Sequence, residues 1–165
     1  MSMLGRLLPG QVDNRFDGLR PALWLLGLLL FGKLAMSVNS IVNTASVAGG
    51  ADGIPLASFG PAAAREVLLL FALTALAHLF LALIALTVLI RYRALVPFIY
   101  LVLLAEHVAR RLIVTYAAPG AHSTAVALYV NYGLLALLTL GLVLSLISAR
   151  GKGAHHPRSD MEEGQ

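Results

Sequence analysis

Four times between residues 19 and 148 the chain enters an apolar stretch long enough to cross a bilayer as a helix. A hydrocarbon core about 30 Å thick needs roughly 20 such residues at helical rise. The stretches lie at 19–44, 61–90, 94–116 and 123–148. Pro21, Pro61 and Pro97 stand in the opening turns of the first three, where the missing N–H is one the helix leaves unbonded anyway. Lipid offers no water to an exposed backbone, so only helices and closed barrels span it. Runs of this length favour helices. The expected fold is all-α: an integral membrane four-helix transmembrane bundle over 19–148, with 1–18 as an N-terminal segment and 149–165 as a polar, disordered tail.

Composition agrees. Hydrophobic residues make up 59% of the chain and charged ones 12%, against about 25% charged in an average soluble domain. Cysteine is absent, which excludes disulfides, thiolate metal sites and iron–sulfur clusters. The formal charge of +4 would suggest nucleic acid as a partner in a soluble protein. Here the basic residues stand at the ends of the apolar runs instead of forming one patch, so the expected partner is the lipid bilayer and not nucleic acid. No secretory leader is expected, because the first apolar run starts near Leu19 and no small-residue cleavage site follows a short apolar region. Met3, Leu4, Leu7 and Leu8 around Arg6 suggest a short interfacial turn before Pro9.

Arg91-Tyr92-Arg93 joins the second and third runs with two positive charges, whereas the 45–60 connection holds Asp52 as its only charge and 118–123 holds none. Arg6, Arg15 and Arg20 precede the first run, and Arg150, Lys152 and Arg158 follow the last. The positive-inside rule then puts both termini and the Arg91–Arg93 turn in the cytoplasm. Usage rich in leucine, alanine and arginine and poor in lysine suits a GC-rich bacterial source, which makes the expected location a multi-pass protein of the bacterial inner (plasma) membrane. Trp24, Tyr92, Tyr100 and Tyr116 near the run ends suit an aromatic belt. The 45–60 connection is long for a bundle. Asp52-Gly53 and Ile54-Pro55 mark turns in it, and it reads as a flexible cap or a lid.

Ionisable residues interrupt the oil at one level. Counted at 1.5 Å per residue from the run ends, Lys33, His78, Glu106 and His107 all fall roughly 18–20 Å deep, near the bilayer centre. Arg110, Asn131 and Asn39 form a second layer about 24–28 Å in. Lys33, Ser37, Ser40 and Thr44 share one stripe of the first helix, and Thr74, Ala75, His78, Ala82 and Ala85 a small and polar stripe of the second. In the third, Glu106 and Arg110 are i, i+4 neighbours, while Leu101, Ala105, Val108 and Leu112 take the opposite face. In the fourth, Thr124, Asn131, Leu138 and Ser145 repeat every seven residues. Arg111 has the length to snorkel, and Glu66 is a candidate partner for one of the arginines.

A charge at mid-membrane costs roughly 2.5–3.5 kcal/mol on insertion scales, so it needs a partner, water or a ligand. Glu106 is the one acid at that level facing Lys33 and Arg110, which leaves positive charge in excess. The predicted ligand-binding set is Lys33, Asn39, His78, Glu106, His107, Arg110 and Asn131. It suits a small anionic or carbonyl-bearing ligand such as a quinone, a lipid headgroup or an organic anion. The plainer alternative gives the polar layer a purely structural task, fixing helix register in an accessory or assembly subunit whose partners are other membrane proteins. A third reading pairs His78 with His107 as ligands of a b-type haem; no other cofactor is expected. No nucleophile elbow, zinc-protease or phosphate-loop motif is present, and an enzyme is not the expectation. His155-His156 reads as part of a solvated tail.

Overall fold

In the computed structural model, residues 5, 7, 9, 10, 12–117 and 125–147 are described. The expected connection at 118–123, Thr124, the tail at 149–165 and, apart from Gly5 and Leu7, the expected turn at 3–8 lie outside them. Among the described residues the fold is all-helical, without strands. Four long helices carry it: α1 (Arg20–Val42), α2 (Pro61–Arg91), α3 (Val96–Ala117) and α4 (Ala125–Leu146). Three of them, α1, α2 and α4, are long and apolar enough to cross a membrane. α3 has the length but carries Glu106, Arg110 and Arg111 through its second half.

Local chemistry sets the helix ends. Leu19 and Gly60 are extended, and Pro21 and Pro61 follow them at the helix starts. α1 stops at Val42, two residues before its apolar pattern ends, because Asn43 leaves helical geometry. Its side-chain amide turns back to donate to Asn39 Oδ1 at 2.7 Å, an alternative that asparagine offers the backbone at helix ends. Tyr92 ends α2 in the same way, and a 3₁₀ turn, Arg93–Leu95, leads into α3.

α1 lies along α2 and also meets α4, and α3 packs mainly on α4. α2 and α3 are consecutive in sequence but approach one another closely at few points. One apolar core joins the first half of α1 (Leu26, Leu29, Leu30), the last third of α2 (Ala82, Ala85, Val88) and the first half of α3 (Val96, Ile99, Leu103), with Leu138 from α4. Tyr100 sits within it, fully buried, and donates its hydroxyl to the Ala22 carbonyl at 2.7 Å. It is therefore not part of an aromatic belt, whereas Trp24, Tyr92 and Tyr116 are exposed. Gly141 makes room for the Tyr100 ring; a Cβ there would overlap it.

The N-terminal segment closes this end of the bundle. Leu19 N–H donates to the Leu144 carbonyl at 3.1 Å and Ala94 N–H to the Asp13 carbonyl at 3.3 Å. Gly18 lies so close to the Ser145 carbonyl that a side chain has no space. Outward-facing threonines solve their own hydroxyls: Thr74, Thr87, Thr115 and Thr139 each donate to the carbonyl four residues back. Along the helices much of the surface is apolar, with Leu28, Phe31, Leu70, Phe80 and Ile113 all well exposed. Such a surface fits a bilayer and not water.

Candidate functional site

Toward the other end the four helices change character together. Past Leu30 in α1 come Lys33, Ser37 and Ser40; before Ala82 in α2 stand Ala75 and His78; past Leu103 in α3 come Glu106, His107 and Arg110; before Leu138 in α4 stand Asn131 and Leu134. Apolar packing gives way here to a connected polar group.

Glu106 is its centre. The Lys33 ammonium donates to Oε2 at 3.2 Å, and both side chains are largely buried, 17% and 21% exposed. His78 Nδ1 stands 3.5 Å from Oε1 and Arg110 Nε 3.6 Å from the same atom. Neither is close and aligned enough to satisfy Oε1, which has no hydrogen-bond partner although it is shielded from solvent. One carboxylate thus serves groups from α1, α2 and α3.

His107 points elsewhere. It is nearly fully buried, and its Nε2 lies 3.1 Å from the Asn131 carbonyl. A carbonyl only accepts, so Nε2 carries the proton. Nδ1 then accepts from Arg110 Nη2 at 3.3 Å. His107 is a strut that ties α3 to α4 and positions Arg110. With both nitrogens engaged, it offers none to a haem iron in this arrangement, so the residues present do not fit the bis-histidine expectation. Among the described residues no group of three or more His, Cys, Asp or Glu could hold a metal ion.

Beside this cluster lies a cavity of about 600 Å³. Lys33, Ser37, His78, Arg110 and Asn131 form its polar wall, and Met36, Phe71, Ala75, Val130 and Leu134 its apolar one. Gly50, Ala51 and Asp52 come from the 43–60 segment. That segment is folded: a wide helical turn, Val47–Ala51, buries Ala48 completely, and Ile54 N–H donates to the Ala48 carbonyl at 2.9 Å. Gly53, at φ 70°, supplies the left-handed residue that lets the chain reverse. Where composition suggested a flexible cap or a lid, the segment forms a hydrogen-bonded turn at the cavity wall.

Of the predicted set, Lys33, His78, Glu106, His107, Arg110 and Asn131 come together. Asn39 does not: it is exposed and paired with Asn43. Arg111 turns away from the cavity, its guanidinium 5.8 Å from the centre of the Tyr132 ring on α4. Glu66 is exposed and pairs with none of the described arginines. Asp52 is the residue that sequence reasoning missed. It stands at the cavity rim, close enough to Arg110 for the two charges to interact. Although exposed as a residue, its carboxyl is held above the usual value by partial desolvation, with Arg110 opposing the shift. The signal was its position as the lone charge of that connection.

No protein family, curated protein or solved structure matches the chain. The site is read from its own chemistry.

Proposed function

We propose that the chain is a multi-pass protein of a bacterial inner membrane, with α3 as a fourth span, both termini in the cytoplasm and the 43–60 cap facing outward. In this reading its task is to bind or move a small anionic or carbonyl-bearing molecule in the cavity capped by Asp52. One observation carries the reading: Arg110 lines the cavity with most of its donors unspent among the described residues. Its Nε leans on Glu106 and one Nη2 hydrogen on His107. The remaining guanidinium hydrogens have no hydrogen-bond partner among the described residues. An arginine that only fixed helix register would spend its fork on protein acceptors. The cavity also falls within the roughly 300–1,000 Å³ typical of small-molecule sites.

The test is stabilisation of the detergent-solubilised protein by a panel of quinones, phospholipid headgroups and organic anions. Arg110→Ala and Lys33→Ala are expected to abolish the response while still inserting into membranes. Normal binding by both variants would defeat the proposal. A second reading, an accessory subunit, draws on the exposed rings of Tyr116, Tyr129 and Tyr132. It predicts that mild detergent extracts the chain together with a larger membrane partner, and a chain that always purifies alone would count against it.

A further inference from the structure

We propose that the cavity's occupant is an amphiphilic monoanion, one acidic head on an apolar body, and that its head sits on Arg110 and drives a proton onto Asp52. The proposal rests on the ligand-binding reading above and narrows it.

The body follows from size and lining. A small inorganic anion would leave most of the roughly 600 Å³ to Met36, Phe71, Val130 and Leu134, which water wets poorly. The head follows from charge. At mid-depth Lys33 and Arg110 face one carboxylate, and Lys33 holds it more closely, 3.2 Å against 3.6 Å. The excess positive charge therefore resides on Arg110. A neutral carbonyl would accept its hydrogen bonds without cancelling that charge; an acidic head does both.

Asp52 supplies the coupling. It is the one acid among the described residues lining the cavity, and it interacts electrostatically with Arg110. No ion pair within 4 Å joins them among the described residues. With the cavity empty, Asp52 offsets the excess charge from a distance. An anionic head on Arg110 takes over that role and stands as a second negative charge facing Asp52. Like charges sharing one site favour protonation of one of them. Among the described residues Arg110 holds the Asp52 carboxyl down, while desolvation pushes it up; a ligand that neutralises Arg110 removes that opposition. Among the described residues, the other titratable or charged groups around the cavity are Lys33 from α1, His78 from α2, and Glu106, His107 and Arg110 from α3. α4 contributes Asn131, which does not titrate. Lys33 holds Glu106 and both His107 nitrogens are engaged, so among the described residues His78 is the competing proton acceptor. Because protonated Asp52 tolerates the anion better, binding strengthens as pH falls.

The experiment uses the full chain in lipid nanodiscs and decane-1-sulfonate as probe, whose charge is fixed over the working range. Methanesulfonate tests the head alone and methyl decanoate an uncharged carbonyl. Protein-free nanodiscs measure partitioning into lipid. Titration calorimetry in buffers of different ionisation enthalpy counts protons between about pH 5 and 8. Decanesulfonate is expected to bind at least about tenfold more tightly than either comparator. Its affinity should rise by up to about tenfold per unit fall in pH, with proton uptake. Asp52→Asn should remove the pH dependence and His78→Gln should keep it. Equal binding of methyl decanoate or of methanesulfonate would overturn the ligand class while leaving a binding site. Dependence lost in His78→Gln and kept in Asp52→Asn would overturn the role of Asp52. If neither these probes nor the earlier panel bind, the ligand-binding reading itself falls.

Discussion

The two ends of this bundle solve opposite problems with the same four helices. At the end closed by the N-terminal segment, Leu26, Leu30, Val96 and Leu103 are buried to within about a percent around Tyr100. At the other, Lys33, His78 and Arg110 share the Glu106 carboxylate beside a cavity. The first half holds the helices together through shape. The second is held by a few polar contacts and keeps space open. A packed core leaves no such space; under the proposed function, the space beside these charges is where the ligand sits.

The contrast can be broken first at Glu106. Glu106→Gln leaves Lys33 and Arg110 without their shared acid, and the loss expected for breaking a buried pair is about 3–5 kcal/mol. Unfolding by denaturing detergent reads it. The double variant Lys33→Met, Glu106→Gln should lose less than the two single losses added together, because the pair fails as a unit. Additive losses would separate the two side chains.

Two glycines sharpen the contrast. Gly141→Ala pushes a methyl into the Tyr100 ring, and overpacking of this kind costs about 1–3 kcal/mol. Gly50 lines the cavity, and a Cβ there meets nothing within 4 Å. Gly50→Leu should leave stability within about 0.5 kcal/mol while abolishing ligand binding. Enlarging a glycine thus damages folding at one end and only binding at the other. A Gly50 variant that unfolds, or a Gly141 variant that does not weaken the fold, would erase the distinction.

Smaller effects follow. Tyr100→Phe removes the hydroxyl bound to Ala22 and should cost about 1 kcal/mol in the same assay. Thr87→Val and Thr139→Val, on the outer surface, should change stability by less than about 0.5 kcal/mol, since each hydroxyl serves only its own helix.

The chain's helices were legible because apolar length sets them. Even there Asn43 ended α1 early through its own side chain, which a hydropathy pattern does not register. The polar level was legible by counting rise along each run. Facing was harder. Asn39 shares the depth of Arg110 but lies about 120° around α1 from Lys33 at roughly 100° per residue, so it looks outward. His107 follows Glu106 directly, and the same rotation turns it to α4. Tyr100 stands near a helix end like a belt residue, and only the partner carbonyl on α1 and the gap left by Gly141 on α4 draw it inward. Asp52 lies in a connection without periodicity, where sequence gives charge but not position.

The most direct test of the central claim is whether Lys33 and Glu106 face each other in lipid. The absence of native cysteine makes paired cysteines clean reporters. In native membranes, Lys33→Cys with Glu106→Cys should be joined by a short bifunctional thiol reagent. Lys33→Cys with Ala105→Cys, on the exposed side of α3, should not. Efficient linking of the second pair and none of the first would contradict the account.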